Sequence, residues 1–193
     1  MQTHCEIWLI RHGETEWSLS GAHTSRTDLP LTERGRERAP LIGAALANID
    51  FALVLTSPLR RARETCELAG LGEAAEIDPN LQELDYGDYE GRTTSEIQAQ
   101  RPDWSLWRDG CPNGETLDHA GSRAEAVITR TAAAEGPVAL FAHGHILRIL
   151  ASRWLGLAAD AARLFALSTG SISSLGFERT TRVVTRWNLT TSV

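Results

Sequence analysis

Apolar residues along the chain keep two rhythms that alternate from the amino terminus onward. Short unbroken runs at Glu6 to Ile10, Phe51 to Thr56 and Val138 to Ala142 have the length and flanks of strands buried on both faces. Between them the apolar positions fall three and four apart, as on amphipathic helices. One helix is expected over Thr32 to Ala47, with Thr32 as N-cap and Leu41, Ala45 and Leu46 on one stripe. Others are expected over about Leu59 to Ala69, ended by Gly70 as a C-cap glycine, over Thr116 to Ala134, and over Ile146 to Leu155. Near the carboxyl terminus Ile172 to Phe177 and Val183 to Leu189 alternate apolar with polar residues on either side of Glu178 to Arg182. That pattern predicts an antiparallel hairpin at a sheet edge.

Strands and helices in alternation predict an α/β fold, a three-layer αβα sandwich on a mixed, mostly parallel sheet. No repeat, low-complexity stretch or linker divides the chain, so residues 1–193 are expected to form one domain. From Asp78 to Gly114 turn residues dominate, and Tyr86, Tyr89, Trp104 and Trp107 gather there. A loop-rich lid or substrate-facing insertion is expected over about 78–114, with one short helix near Thr94 to Arg101.

Composition removes whole classes of chemistry. All 19 residues in the Lys+Arg count are arginine, so a P-loop lysine, a Schiff-base lysine and pyridoxal-phosphate attachment are excluded together. A formal net charge of -6 offers no general attraction for nucleic acid or an acidic membrane. Any anionic partner must be met by a local arginine cluster. Cys5, Cys66 and Cys111 are odd in number and lack CxxC spacing, which argues for reduced thiols and against a disulfide framework or structural zinc. The first strand follows almost directly on the amino terminus, and no apolar run approaches the roughly 20 residues that span a bilayer. A cytoplasmic protein without membrane or nucleic-acid partners is the expectation.

The candidate chemistry lies where strands run out. Arg11-His12-Gly13-Glu14 follows the first apolar run, and His143-Gly144-His145 follows the run ending at Ala142. In open α/β sheets ligands bind outside the carboxyl ends of strands. Arg61, just after Ser57-Pro58-Leu59-Arg60, and Glu83, in Leu81-Gln82-Glu83-Leu84-Asp85-Tyr86-Gly87, complete the set. Two arginines and two histidines around one point suit a phosphate dianion, and one carboxyl supplies a proton. Such an inventory fits phosphoryl transfer through a phosphohistidine with no metal required. Arg60 and Arg63 read as solvated neighbours of Arg61. Asp85, Asp88 and Glu90 compete with Glu83 as the acid. Ser18, Ser20, His23, Thr24 and Ser25 are read as the phosphate and substrate entrance, with Thr24 and Ser25 the better placed. His145 and Arg148 read as lining the pocket, and Trp104 or Trp107 as facing substrate.

Arg11-His12-Gly13-Glu14-Thr15-Glu16-Trp17 resembles the RHGE(S/T)xW signature of the histidine phosphatase superfamily, the phosphoglycerate mutase-like family. The likeness continues through Leu29-Pro30-Leu31-Thr32, Gly35, Ser57 to Thr65, Glu83, Tyr86-Gly87 with Glu90-Gly91, Gly114-Glu115 and Ala142-His143-Gly144. It implies a phosphoglycerate mutase-like fold. By the same resemblance His12 is the nucleophile; Arg11, Arg61 and His143 bind the phosphoryl group; and Glu83, by its spacing to Tyr86-Gly87, is the proton donor, with neither a metal nor a dissociable organic cofactor needed. Substrate contacts are then expected from Arg11, Ser18, Thr24, Ser25, Arg61, Glu83, Tyr86, His143, Gly144 and His145. Mutases of the family carry lysine and a longer insertion after the glutamate, and Trp-Asn where Trp17-Ser18 stands here. These departures, and the blocks Asp85 to Gly91 and Trp107 to Cys111, point to the sedoheptulose bisphosphatase-like and acid phosphatase-like branch. The expected activity is hydrolysis of a small phosphate ester, a sugar phosphate, by a chain that could act as a homodimer. The alternatives are a cofactor-dependent phosphoglycerate mutase and a non-catalytic phosphate-binding protein of the same fold.

Overall fold

A computed structural model describes residues 6–190. Four parallel strands form the body of the sheet: β1 (Ile7–Arg11), β2 (Leu53–Thr56), β3 (Ala75–Ile77) and β4 (Val138–Ala142). Strand β5 (Ser171–Glu178) pairs antiparallel with β1, and β6 (Thr181–Thr190) pairs antiparallel with β5, giving the order β3-β2-β4-β1-β5-β6. The edge hairpin expected from alternation is therefore present. The helices among these residues are α1 (Glu16–Ser20), α2 (Glu33–Leu46), α3 (Arg60–Leu68), α4 (Thr94–Gln98), α5 (Leu106–Asp109), α6 (Leu117–Thr131) and α7 (Gly144–Trp154).

The two faces of the sheet explain why its central strands β1 and β4 are apolar up to the Arg11 that ends β1. Ile7 and Leu9 of β1 and Val138, Leu140 and Ala142 of β4 join a core that also holds residues of α6 and α7. Trp8 and Ile10, with Ala139 and Phe141, point the other way into a core with Ile42 and Leu46 of α2 and Cys66 of α3. Successive side chains alternate between faces, so a strand covered on both sides must be apolar throughout. This is the three-layer sandwich the pattern predicts.

Several elements lie outside the hydrophobic rhythms. Strand β3 has only three residues, with Glu76 and Ile77 exposed at the sheet edge. Helix α1 is set by a capping box in which Thr15 and Ser18 satisfy each other's backbone N–H groups, and it buries none of its residues. Helix α7 begins at Gly144, two residues before the expected start. The stretch 78–114 holds α4 and α5, and its Leu84, Tyr86, Ile97 and Trp104 are buried in the core shared with α6 and α7. Gly87 (φ +51) lies so close to Pro112 to Gly114 that a Cβ there would stand 2.1 Å from the Pro112 oxygen. The two ends of this stretch are thus stapled together.

Strands β2, β4 and β1 run out side by side. Thr56 pairs with Phe141 and Arg11 with Ala142, so the next residues, Ser57, His143 and His12, emerge at one level. The His12 N–H donates to the Ala142 carbonyl (2.9 Å) and the Ser57 N–H to that of Phe141 (2.9 Å).

Candidate active site

His12 is almost fully buried, and its Nδ1 lies 2.7 Å from the Gly13 carbonyl oxygen. A carbonyl only accepts, so Nδ1 carries the proton and Nε2 keeps the lone pair. Burial holds the His12 imidazole well below its ordinary pKa, and the Arg61 and Arg11 guanidiniums add to this, outweighing the Gly13 carbonyl and Glu83. The ring is neutral, with its Nε2 lone pair free of the Gly13 contact. The geometry it needs is set by its neighbour, whose N–H donates to Thr65 Oγ1 (3.0 Å), while Thr65 donates to the Arg61 carbonyl (2.7 Å).

Arg61 stands in the first turn of α3 with its side chain wholly buried. A buried guanidinium must place its donors. Its Nε donates to His143 Nδ1 (3.1 Å), and its terminal nitrogens donate to the carbonyls of Thr27 (3.2 Å), Thr24 (3.1 Å) and Ser25 (3.4 Å). The loop that supplies those oxygens is pinned by Glu90, whose carboxylate accepts from the N–H of Ser25 (2.9 Å) and of Thr27 (3.0 Å). Arg60 and Arg63 are exposed, as expected.

His143 receives Arg61 on Nδ1, so its proton sits on Nε2 and is donated to Ser57 Oγ (2.7 Å). Its ring centroid is 5.2 Å from that of His12. Burial, then the charges of Arg61 and His12, hold it well below the ordinary imidazole value. Both ring nitrogens are engaged by protein groups here, and the hydrogen bond from Arg61 fixes that guanidinium beside His12. Arg11 donates to the Leu167 carbonyl, while its Nε is buried without a partner. An orphaned donor beside a neutral imidazole can receive an anion's oxygen.

Glu83 lies against the amino end of α7. Its carboxylate accepts from the N–H groups of Leu84 (2.9 Å), His145 (3.0 Å) and Ile146 (3.0 Å). Burial alone would push this carboxyl up, but the hydrogen bonds and charge of His145, with His143, hold it well below the usual carboxylate range. The competing acids are otherwise occupied: Asp85 pairs with Arg26, Asp88 is exposed and accepts from Asn113, and Glu90 clamps the loop.

Thr24 and Ser25 come to the site, but through their carbonyls, with Thr24 Oγ1 turned to the Ala22 carbonyl (3.1 Å). Ser18 is spent on the α1 cap. The buried Tyr86 hydroxyl meets His145 Nδ1 at 2.6 Å, and His23 stacks on the Tyr86 ring at 4.7 Å. Gly144 packs against the Arg11 guanidinium. Trp104 is buried, while the half-buried Trp107 lies between His145 and Arg148. Ser57, Thr65 and the clamping role of Glu90 were not legible in the sequence. Their hydroxyls and carboxylate act through backbone and other side chains, and only the threading of the chain brings them there.

From Glu83 a cleft of about 580 Å³ opens outward, walled by Arg26, Asp85, Asn113, Glu115, His119 and Arg123. Among the described residues no group of three or more His, Cys, Asp or Glu is placed to hold a metal ion, and no helix is long and apolar enough to cross a membrane.

Comparison with known proteins agrees with this geometry. Residues 7–190 match the family described as the histidine phosphatase superfamily, branch 1. The chain is 39% identical over 188 residues to an acid phosphatase of Mycobacterium tuberculosis, covering 95% of this chain and 92% of that one. It is 38% identical over 182 residues to sedoheptulose 1,7-bisphosphatase of Saccharomyces cerevisiae, covering 77% of this chain and 67% of the relative. The solved structure of the open reading frame Rv3214 of Mycobacterium tuberculosis superposes with a TM-score of 0.92 at 37% identity, over 97% of this chain and 99% of that one.

Proposed function

The chain belongs to the histidine phosphatase superfamily, and from that premise we propose that it hydrolyses a small phosphate monoester, a sugar phosphate, through a phosphohistidine on His12. One observation carries the reading: the Nδ1–H of His12 is committed to the Gly13 carbonyl, which leaves a neutral Nε2 lone pair beside Arg11, Arg61 and Glu83. In-line attack by that nitrogen breaks the P–O bond of the ester. The guanidiniums hold the phosphoryl oxygens as charge spreads over them. Glu83, protonated in the complex, gives its proton to the leaving alkoxide. It then takes a proton from the water that cleaves the phosphohistidine, and inorganic phosphate leaves. The acid phosphatase and bisphosphatase relatives support this choice of reaction over a mutase.

Cys66 and Cys111 are free, and burial pushes both thiols up to about 12, which leaves them little thiolate to react and no part in the proposed chemistry. Rapid quench with a radiolabelled monoester should trap acid-labile phosphate on the wild-type chain and none on His12→Ala, with phosphate release from p-nitrophenyl phosphate in the presence of a chelator. Full activity in His12→Ala would overturn the reading.

A further inference from the structure

Glu83 must reach the leaving oxygen, so the body of the substrate has to lie in the cleft that Glu83 borders. The chemistry of that wall is therefore a statement about the leaving group. It contains two guanidiniums, and both are neutralised. Arg123 is held bidentate by Glu115 (Nε to Oε1 2.7 Å, Nη2 to Oε2 2.7 Å), and its remaining terminal nitrogen donates to the carbonyls of Asn80 (2.6 Å) and Gln82 (2.9 Å). Arg26, exposed at the mouth, is tied to Asp85. His119 leans on the same Glu115 at 2.5 Å. The wall thus offers hydroxyls the outer lone pairs of Asp85 and Glu115 and the side-chain amide of Gln82, and among the described residues lining it no guanidinium is without a carboxylate partner. A second phosphate or a carboxylate entering here would meet Asp85 and Glu115 and would have to break an ion pair to find a cation.

We infer that this half of the cleft is a subsite for an uncharged, hydroxyl-rich leaving group, and that the Arg26–Asp85 pair excludes substrates bearing a second anion. The inference rests on the phosphatase reading above and narrows it to sugar and polyol monophosphates over bisphosphates and phosphocarboxylic acids. Removing the Asp85 charge would free Arg26 for an anion; removing Arg26 would leave the Asp85 charge bare.

Phosphate release should be measured from fructose 6-phosphate, fructose 1,6-bisphosphate, 3-phosphoglycerate and p-nitrophenyl phosphate. In the wild type kcat/KM for the monophosphate should exceed that for the bisphosphate and for 3-phosphoglycerate. Asp85→Asn should raise the ratio of bisphosphate to monophosphate about threefold, and Arg26→Ala should lower it by a similar factor, the size expected for one solvent-exposed charge. Arg26 is exposed, so its variant will fold even if Asp85→Asn, which also loses acceptor strength for the Gly87 N–H, does not. A wild-type preference for the bisphosphate or for 3-phosphoglycerate overturns the inference, as does an unmoved ratio in Arg26→Ala. If p-nitrophenyl phosphate is cleaved in either of those cases, only the selectivity falls. No release from any of the four esters overturns the phosphatase reading along with it.

Discussion

A methyl group on residue 144 would stand 3.2 Å from the Arg11 guanidinium carbon and 3.3 Å from its Nε. Glycine there is a condition for the position of Arg11, because the other side of the guanidinium is already bonded to the Leu167 carbonyl. Gly144→Ala should keep the fold and lower kcat/KM about 100-fold by displacing the arginine a fraction of an ångström; unchanged kinetics with a folded protein would remove Arg11 from the phosphoryl site. Glu83 presents a different question, since it rests as an anion and the proposed mechanism asks it to give a proton. A bound phosphate dianion supplies the answer, raising the carboxyl by like-charge repulsion where the free site holds it low. The acid form is lost as pH rises, so kcat should fall toward alkaline pH. Glu83→Gln should lower kcat about 10²- to 10⁴-fold and flatten that limb, which a pH series on both proteins will show. Arg11-His12 and His143 stand out in the chain because each follows an apolar run and precedes a glycine, whereas Arg61 and Glu83 are singled out from neighbouring arginines and acids by the family resemblance. Tyr86 and Ser18 are expected at the substrate, and the structure engages them with His145 and the α1 cap, since an aromatic hydroxyl and a serine serve caps, cores and ligands equally well.

At the scale of elements, the segment 22–28 is the least regular part of the site and supports the Arg61 guanidinium. Its carbonyls surround Arg61, and the N–H groups of Ser25 and Thr27 depend on one carboxylate, Glu90. Glu90→Ala should loosen the cradle without touching substrate: KM rises, kcat/KM falls about tenfold, and the phosphohistidine is still trapped. Two backbone donors lose their acceptor, at roughly 1–2 kcal/mol, so Tm should fall by roughly 3–8 °C in a melting curve. Regular elements with an apolar stripe, such as α2 with its Thr32 cap and the β5–β6 hairpin, announced themselves in the pattern. Strand β3 and helices α1 and α5 did not, because they contribute almost nothing to a periodic face and are held by caps, pairing and neighbours.

For the whole molecule, the site makes the fold sensitive to acid. His12 and His143 are held well below their ordinary values and His23 is pushed down to about 4, in each case with burial as the largest cause. A depressed imidazole binds fewer protons folded than unfolded, so stability is full above about pH 6.5 and declines as pH falls below it. Tm should therefore drop between pH 7 and 5, and inorganic phosphate should recover part of the loss by binding only the folded state. A Tm that holds or rises over that range would contradict the buried neutral histidines.

The reacting groups and the cleft wall come from different parts of the chain. Strand ends β1 and β4, with the first turn of α3, carry Arg11, His12, His143 and Arg61, while Arg26 and the segments around Asp85 and 113–123 line the cleft. On the proposed mechanism, choice of substrate and bond cleavage can in this way be altered separately. A change of charge on one loop would alter what the cleft admits and leave the groups at the strand ends where they are.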